Sequence, residues 1–274
     1  MKIGVTGGNG GMGRHLIPYL LEQGHDVVSL DLRLPDSPWE RRSRHLIADV
    51  TDMGQLTAGL AGCDALVHLA AHTSPNHHPE TVVYHDNTLS SYYALSAAAV
   101  LGIKRVCQAS SINAIGGVYS RQPKYDFFPV DETHPTYAED AYSLSKWVME
   151  QQGDAFARRY EWMTIGSLRF HWLLDSRERA LQMTRVENPY AVKHMWAYTL
   201  FSAAARAILL TLTADYSGHE AFYIVAPRTA VEEESMALIE RYYPDIEIRK
   251  DMSGQAGFFD CSKAERLLGW RHED

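Results

Sequence analysis

The chain has 274 residues, 46% hydrophobic and 22% charged, which suits one large globular α/β domain or one domain with a smaller appendage and excludes disordered and collagen-like classes. Its 34 acidic against 26 basic residues leave a formal charge of −8, which argues against general affinity for nucleic acid or an anionic membrane. No stretch approaches the roughly 20 apolar residues of a spanning helix and the start lacks a signal-peptide layout. Cys63, Cys107 and Cys261 are too widely spaced for a disulfide framework or a zinc knuckle, so a reducing, cytoplasmic setting is expected.

Short apolar strands and helical patterns then alternate. Residues 2–6 form a strand-like run that leads into a glycine cluster. Leu16, Ile17, Leu20 and Leu21 recur on one face of a helix that Gly24 ends; Pro18 should kink that helix or lie near its first turns. Strands at 27–31 and 46–49 end in Asp31 and Asp49, and a further strand is expected at 65–69. A helix over 81–101, a strand at 105–109, a helix over 138–160 and a strand at 163–168 follow. This alternation predicts an α/β fold with a doubly wound parallel sheet covered on both faces. Beyond Arg169 the regularity weakens, and residues 171–195 predict a loop-rich lid. A helix over 196–212 and a strand at 222–225 resume the pattern, and Thr229 with Glu232 resembles a capping box opening a helix towards Tyr243. The expected division is a dinucleotide-binding part over 1–169 and a small substrate-binding part over 170–274, interleaved with the last strand and helices of the first.

Gly7-x-x-Gly10-x-x-Gly13, with Asn9 and Met12 between the glycines, directly follows the first strand. Such a turn lets backbone N–H groups approach a pyrophosphate at a helix N-terminus. Asp31 closes the second strand, where a carboxylate grips ribose hydroxyls and repels a 2′-phosphate; NAD is therefore expected ahead of NADP. Leu32 and Arg33 follow, and Arg33 is the residue that could pair with such a phosphate instead. Asp49 and Val50 are candidates for the adenine edge, with a helix cap as the alternative for Asp49. Leu69, Ala70 and Ala71 are candidates for the cofactor channel. Arg41, Arg42 and Arg44 form a basic run that is either solvated loop or support for the adenosine end.

Tyr142 and Lys146 stand four apart in a helical pattern and so share one face. An ammonium about 4 Å from the phenol, at an effective dielectric near 20, contributes roughly 4 kcal/mol, enough to bring a tyrosine close to working pH. Ser110 and Ser111 follow a strand end, where this architecture presents groups to a ligand.

These residues together resemble the extended short-chain dehydrogenase/reductases, often grouped as NAD-dependent epimerases/dehydratases. His68-Leu69-Ala70-Ala71, Asn87 and Asp260-x-Ser262-Lys263-Ala264-x-x-x-Leu268-Gly269-Trp270 extend the match. The resemblance implies a Rossmann-type fold and hydride transfer at nicotinamide. It implies Tyr142 as general acid/base, Ser111 orienting the substrate oxygen, and Lys146 lowering the tyrosine pKa and holding the nicotinamide ribose. Asn87 would support the helix or a proton-relay water, and a homodimer would form through the helices at 81–101 and 138–160. The chain departs from nucleotide-sugar epimerases at Arg169-Phe170-His171-Trp172-Leu173-Leu174, at Ser110 to Gly116 and in its short C-terminal part, and there looks more like uronate dehydrogenases. The expected substrate is a free sugar, sugar acid or similar polyol. A nucleotide-sugar epimerase or dehydratase is the alternative, and a non-catalytic cofactor-sensing protein the third reading. Arg177 or Arg179 would grip a sugar carboxylate, while Thr73, Asn113 and His171 would meet hydroxyls. His68, His72, His77, His78 and His85 cluster without a metal-binding spacing, and no metal is expected.

Overall fold

The computed structural model describes residues 1–35 and 42–273. Its first half runs β1 (Lys2–Thr6), α1 (Gly11–Glu22), β2 (Asp26–Asp31), β3 (Ser43–Ile47), α2 (Met53–Leu60), β4 (Ala65–His68), α3 (Glu80–Leu101), β5 (Arg105–Ser111), β6 (Phe127–Phe128) and α4 (Ala141–Arg159). Its second half runs β7 (Thr164–Phe170), β8 (Leu173–Leu174), α5 (Arg177–Met183), α6 (Pro189–Lys193), β9 (Thr199–Leu200), α7 (Phe201–Thr213), β10 (Gly218–Ile224), α8 (Ser235–Tyr242), β11 (Glu247–Ile248) and α9 (Ser262–Leu268).

Seven strands form one parallel sheet in the order β10-β7-β5-β4-β1-β2-β3. Neighbouring residues of a strand point to opposite faces, and both faces here are apolar. Val27, Cys107 and Leu168 face a core shared with α1 and α7, while Val28, Val106 and Ile165 face the core under α2 and α3. A third core, around Phe128, Trp196, Tyr223 and Phe258, gathers the later segments. The strand order reverses between β1 and β4, which opens a crevice above their C-terminal ends. Trp270 is buried and donates its indole N–H to the Ala203 carbonyl at 2.9 Å, so the C-terminal motif anchors the chain end to α7. Among the described residues, no helix is long and apolar enough to cross a membrane.

Several expectations require correction. Pro18 lies beyond the first turns of α1, which were the second of the two placements expected for it, and the helix continues through it to Glu22. No helix begins at Trp196: Met195 and Trp196 take left-handed φ values of 57° and 49°, and Thr199–Leu200 pairs with β8 before α7 starts at Phe201. The Thr229 hydroxyl donates to the Val231 carbonyl within a turn, so the capping box does not form and α8 begins only at Ser235. The lid segment contains α5 and α6, capped by Ser176 and Asn188. At seven and five residues these helices are too short to print a hydrophobic period. Arg41 lies outside the described residues, and Arg42 donates to the Leu21 carbonyl.

Candidate active site

A continuous cleft of about 1340 Å³ runs across the strand ends from the glycine turn to the lid segment. Gly7 takes a left-handed φ of 69°, and a methyl group there would fall 2.7 Å from the Ala70 amide nitrogen. On Gly13 it would fall 2.4 Å from the Gly8 carbonyl oxygen. Only glycine allows this close approach of turn, β4 end and α1. Gly10 precedes α1 without any side-chain cap, so the N-terminal end of the helix faces the cleft unblocked by a side chain. This is the cradle an anionic pyrophosphate requires, and the residues present fit a dinucleotide.

Asp31 accepts a hydrogen bond from the Asn9 amide at 2.9 Å through one carboxylate oxygen. Its second oxygen faces no described donor, which suits ribose hydroxyls. Arg14 donates from Nε to the Asn9 carbonyl at 2.8 Å, and the Asn9 side chain donates to the Arg33 carbonyl. Met12, Leu32, Arg33, Asp49 and Val50 line the same end, with Leu32 and Arg33 at its exposed rim. Asp49 does not cap a helix: its Oδ1 accepts from the Thr51 amide and hydroxyl at 2.8 and 2.7 Å, while Asp52 caps α2. Leu69, Ala70 and Ala71 line the floor, and the Ala70 amide donates to the Thr6 hydroxyl at 3.3 Å. His68 bonds the same hydroxyl at 2.8 Å; burial drives its imidazole down to about 3, so it is a neutral strut.

Asn87 accepts from the His72 amide at 2.8 Å and donates to the His72 carbonyl and the Ser145 hydroxyl, both at 3.0 Å. It thereby clips the β4–α3 connection to α4 at the edge of the cleft.

Ser111, Tyr142 and Lys146 meet where β5 ends beside the first turns of α4, whose Asp140 cap accepts from the Ser143 amide. The Ser111 oxygen accepts from the Asn113 amide at 3.1 Å and lies 3.4 Å from the Asn113 side-chain nitrogen, and its hydroxyl also bonds the Tyr142 phenol. Asn113 is held in turn by the Val118 amide at 3.0 Å. Lys146 is 5% exposed and donates to the Ala109 carbonyl at 2.7 Å. Its ammonium stands 5.8 Å from the Tyr142 ring centroid. The expected acidification of the phenol is absent: burial pushes the Tyr142 phenol well above its ordinary value, and the Ser111 hydroxyl offsets only part of this. Burial also brings the Lys146 ammonium down to about 8, against the opposing pull of Glu150.

Glu150 extends the Tyr142–Lys146 face by one more turn, a spacing visible in the sequence but not singled out from it. Arg169 on β7 grips it bidentately at 2.9 and 2.8 Å, and the Ser110 hydroxyl donates to it at 2.6 Å. Burial alone would raise the Glu150 carboxyl, yet the Arg169 guanidinium beside it holds it below the usual range. This pair locks the end of β5 in register with α4 and β7.

Of the substrate residues expected, Thr73, Asn113 and His171 line the cleft. Arg177 does not: its guanidinium donates to the Gln255 side chain at 3.2 Å, away from the cleft lining, and Arg179 does not line it either. Tyr119, Tyr190 and His194, which sequence reasoning passed over, do line it. In the histidine-rich segment, the two oxygens of Asp86 are taken by separate imidazoles, His72 and His85, each at 2.9 Å. Among the described residues no group of His, Cys, Asp or Glu is arranged to hold a metal ion.

The model of the NAD dependent epimerase/dehydratase family matches residues 3–188. The L-arabinose 1-dehydrogenase (NAD(P)(+)) of Haloferax volcanii is 30% identical over 204 residues, covering 71% of this chain and 76% of that protein. The dTDP-6-deoxy-L-talose 4-dehydrogenase (NAD(+)) of Aggregatibacter actinomycetemcomitans is 26% identical over 177 residues, covering 63% of this chain and 62% of that protein. Against other curated relatives the chain spans a smaller share of their length, down to 12%. Among solved structures, UDP-glucose 4-epimerase of Thermotoga maritima aligns with a TM-score of 0.73 at 22% identity, covering 100% of this chain and 94% of that one. The glucuronic acid dehydrogenase of Chromohalobacter salexigens gives 0.72 at 20%, covering 100% and 84%. Both likenesses speak to the fold alone.

Proposed function

Because the chain belongs to the NAD-dependent epimerase/dehydratase family, we propose that it is an NAD-dependent oxidoreductase acting on a free sugar, sugar acid or similar small polyol. One observation carries this reading: the Ser111 hydroxyl, the Tyr142 phenol it bonds and the Lys146 ammonium all line the cleft that begins at the glycine cradle. NAD, when bound, supplies the carbon that exchanges hydride with the substrate. The Ser111 hydroxyl donates to the substrate oxygen and fixes it beside Tyr142. The phenol, protonated at neutral pH, donates its proton to a carbonyl oxygen in the reductive direction and must lose it before accepting one from an alcohol. Burial of Tyr142 and Lys146 keeps bulk water from the exchange. The glycine turn and Asp31 hold the dinucleotide, and the Asp31 carboxylate favours NAD over NADP.

The proposal assigns cofactor binding to residues 1–169 and most substrate contacts to 170–274. It also takes the protein as a cytoplasmic homodimer joined through α3 and α4; exposed Val82, Tyr84, Tyr92 and Val100 on α3 support that pairing, which sedimentation would test. Incubation with NAD and a panel of aldoses and uronates tests the activity. Steady growth of reduced-nicotinamide absorbance is expected. Interconversion of UDP-sugars without net reduction would replace the reading with epimerisation, and full biological activity of Tyr142→Phe would replace it with a non-catalytic role.

A further inference from the structure

We propose that the substrate end of the cleft is built for an uncharged, hydroxyl-bearing substrate, one of whose oxygens accepts a hydrogen bond from Nε2–H of His171. The inference rests on the dehydrogenase reading above and narrows it.

His171 follows directly on β7 and is 7% exposed. Its Nδ1 lies 2.6 Å from the Trp172 amide, which donates to it. A ring nitrogen that accepts carries no proton, so the neutral imidazole bears its hydrogen on Nε2. That Nε2 is buried, makes no hydrogen bond of good geometry in the protein although the His194 backbone lies beside it, and belongs to a ring that lines the cleft. A buried donor left unpaired is costly, and an acceptor oxygen on a ligand removes the cost. The ring is rigidly seated: the His171 amide donates to the Thr199 hydroxyl at 3.1 Å, and that hydroxyl donates to the Ile224 carbonyl of β10 at 2.6 Å.

His194 stands edge-on to His171, with ring centroids 4.9 Å apart, and its own Nδ1 is likewise buried without a partner. Burial drives the His171 imidazole well below its ordinary value and His194 down to about 4, so neither offers a charge at neutral pH. Nor do the basic residues nearby. Arg177 is turned to Gln255, Arg169 is spent on Glu150, and Lys193 donates to the Ser120 carbonyl at 2.6 Å. Among the described residues lining the cleft, the fixed cations are Arg14 and Arg33 at the glycine-turn end and Lys146, held by the Ala109 carbonyl. A carboxylate or diphosphate beside His171 would therefore be desolvated with no counter-charge, the costly case for any buried anion. Tyr119, Trp172, Met183 and Tyr190 complete the wall with aromatic and apolar surface suited to the C–H faces of a sugar ring.

The test compares L-arabinose and D-galactose with D-galacturonate and D-glucuronate, using wild type, His171→Leu and His171→Gln with NAD. Wild type should favour the aldoses in kcat/KM by at least about tenfold, as a lost ion-hydration shell demands. His171→Leu should raise the aldose KM about 10- to 100-fold with a smaller change in kcat, and His171→Gln, which restores an N–H donor, should recover most of it. Uronates used as well as the aldoses, or a leucine variant with wild-type KM, would overturn the proposal. Wild-type protein labelled with 15N-histidine gives a readout that needs no variant to fold. His171 should show the Nε2–H tautomer across pH 6 to 8, and its Nε2 resonance should move when aldose saturates the NADH complex. The opposite tautomer, or a resonance that no aldose moves, overturns the proposal. Should no free sugar of either kind reduce NAD, the dehydrogenase reading itself falls, and the aldose titration of the His171 resonance still decides whether this end of the cleft holds a neutral sugar.

Discussion

Replacing Lys146 by methionine should change how stability depends on pH in a direction opposite to that expected of a lost ion pair. In the folded protein burial holds the Lys146 ammonium at about 8, against an ordinary value of 10.5. The unfolded chain therefore binds more protons than the native one across that window, so wild-type stability climbs as pH rises through it. Below pH 8 the native state carries the full cost of the buried charge, about 3 kcal/mol at 1.36 kcal/mol for each pKa step. Integrated from pH 7 to pH 10, wild type should gain about 2–3 kcal/mol on Lys146→Met, in which this titration is absent. The bond from Nζ to the Ala109 carbonyl is lost at every pH and offsets the variant's advantage by about 1–3 kcal/mol, but it leaves the slope untouched. Urea unfolding of both proteins at several pH values measures the difference directly. A gap that stays constant from pH 7 to pH 10, or one in which wild type loses ground, would refute the assignment of Lys146 as a charge held against its burial.

Three further outcomes follow from the same geometry. Glu150→Gln should cost about 3–5 kcal/mol in urea unfolding because it leaves Arg169 buried without its counter-ion, whereas Glu150→Leu combined with Arg169→Met should recover most of that loss. Asp31→Ala should raise the KM for NAD about 10- to 100-fold and narrow the preference over NADP; an unchanged ratio of the two cofactors would remove Asp31 from the ribose site. The oxidative kcat/KM should rise with pH from neutral into the alkaline range, since burial lifts the Tyr142 phenol, and Tyr142→Phe should lower kcat about 10²–10⁴-fold and abolish that rise.

What the sequence disclosed follows the range of the interactions involved. The strands of the parallel sheet are buried on both faces, so Val27 and Val28, or Val106 and Cys107, print as unbroken apolar pairs that need no knowledge of their partners. The glycine turn is legible for a similar reason, since three glycines at fixed spacing satisfy a constraint local to one loop and one helix end. The electrostatics of Tyr142 were not legible. Helical spacing put Lys146 on the right face, but the Ala109 carbonyl that draws its ammonium away comes from β5, and desolvation depends on everything packed above both groups. Arg177 failed as a carboxylate ligand because its partner, Gln255, lies far along the chain, where no pattern marks it. Trp196 looked helical in an apolar run until its left-handed backbone directed it into the third core.

The two ends of the cleft are thus specified by different means. The cofactor end is assembled from β1, β2 and β4 and their adjoining turns, and its glycines touch backbone, so a side chain added there meets immovable atoms. The opposite end brings Tyr119, Tyr142, His171, Tyr190 and His194 together from four separate segments, with His171 fixed through Thr199 to β10 and His194 placed by the left-handed pair that follows it. Apart from Tyr142 on α4, the side chains at this second end project from short helices and loops. Among the described lid residues that line this end, His171 Nε2, His194 Nδ1 and the Thr184 hydroxyl lack a well-formed hydrogen bond and none is a fixed cation, which is the surface the proposed neutral substrate would meet.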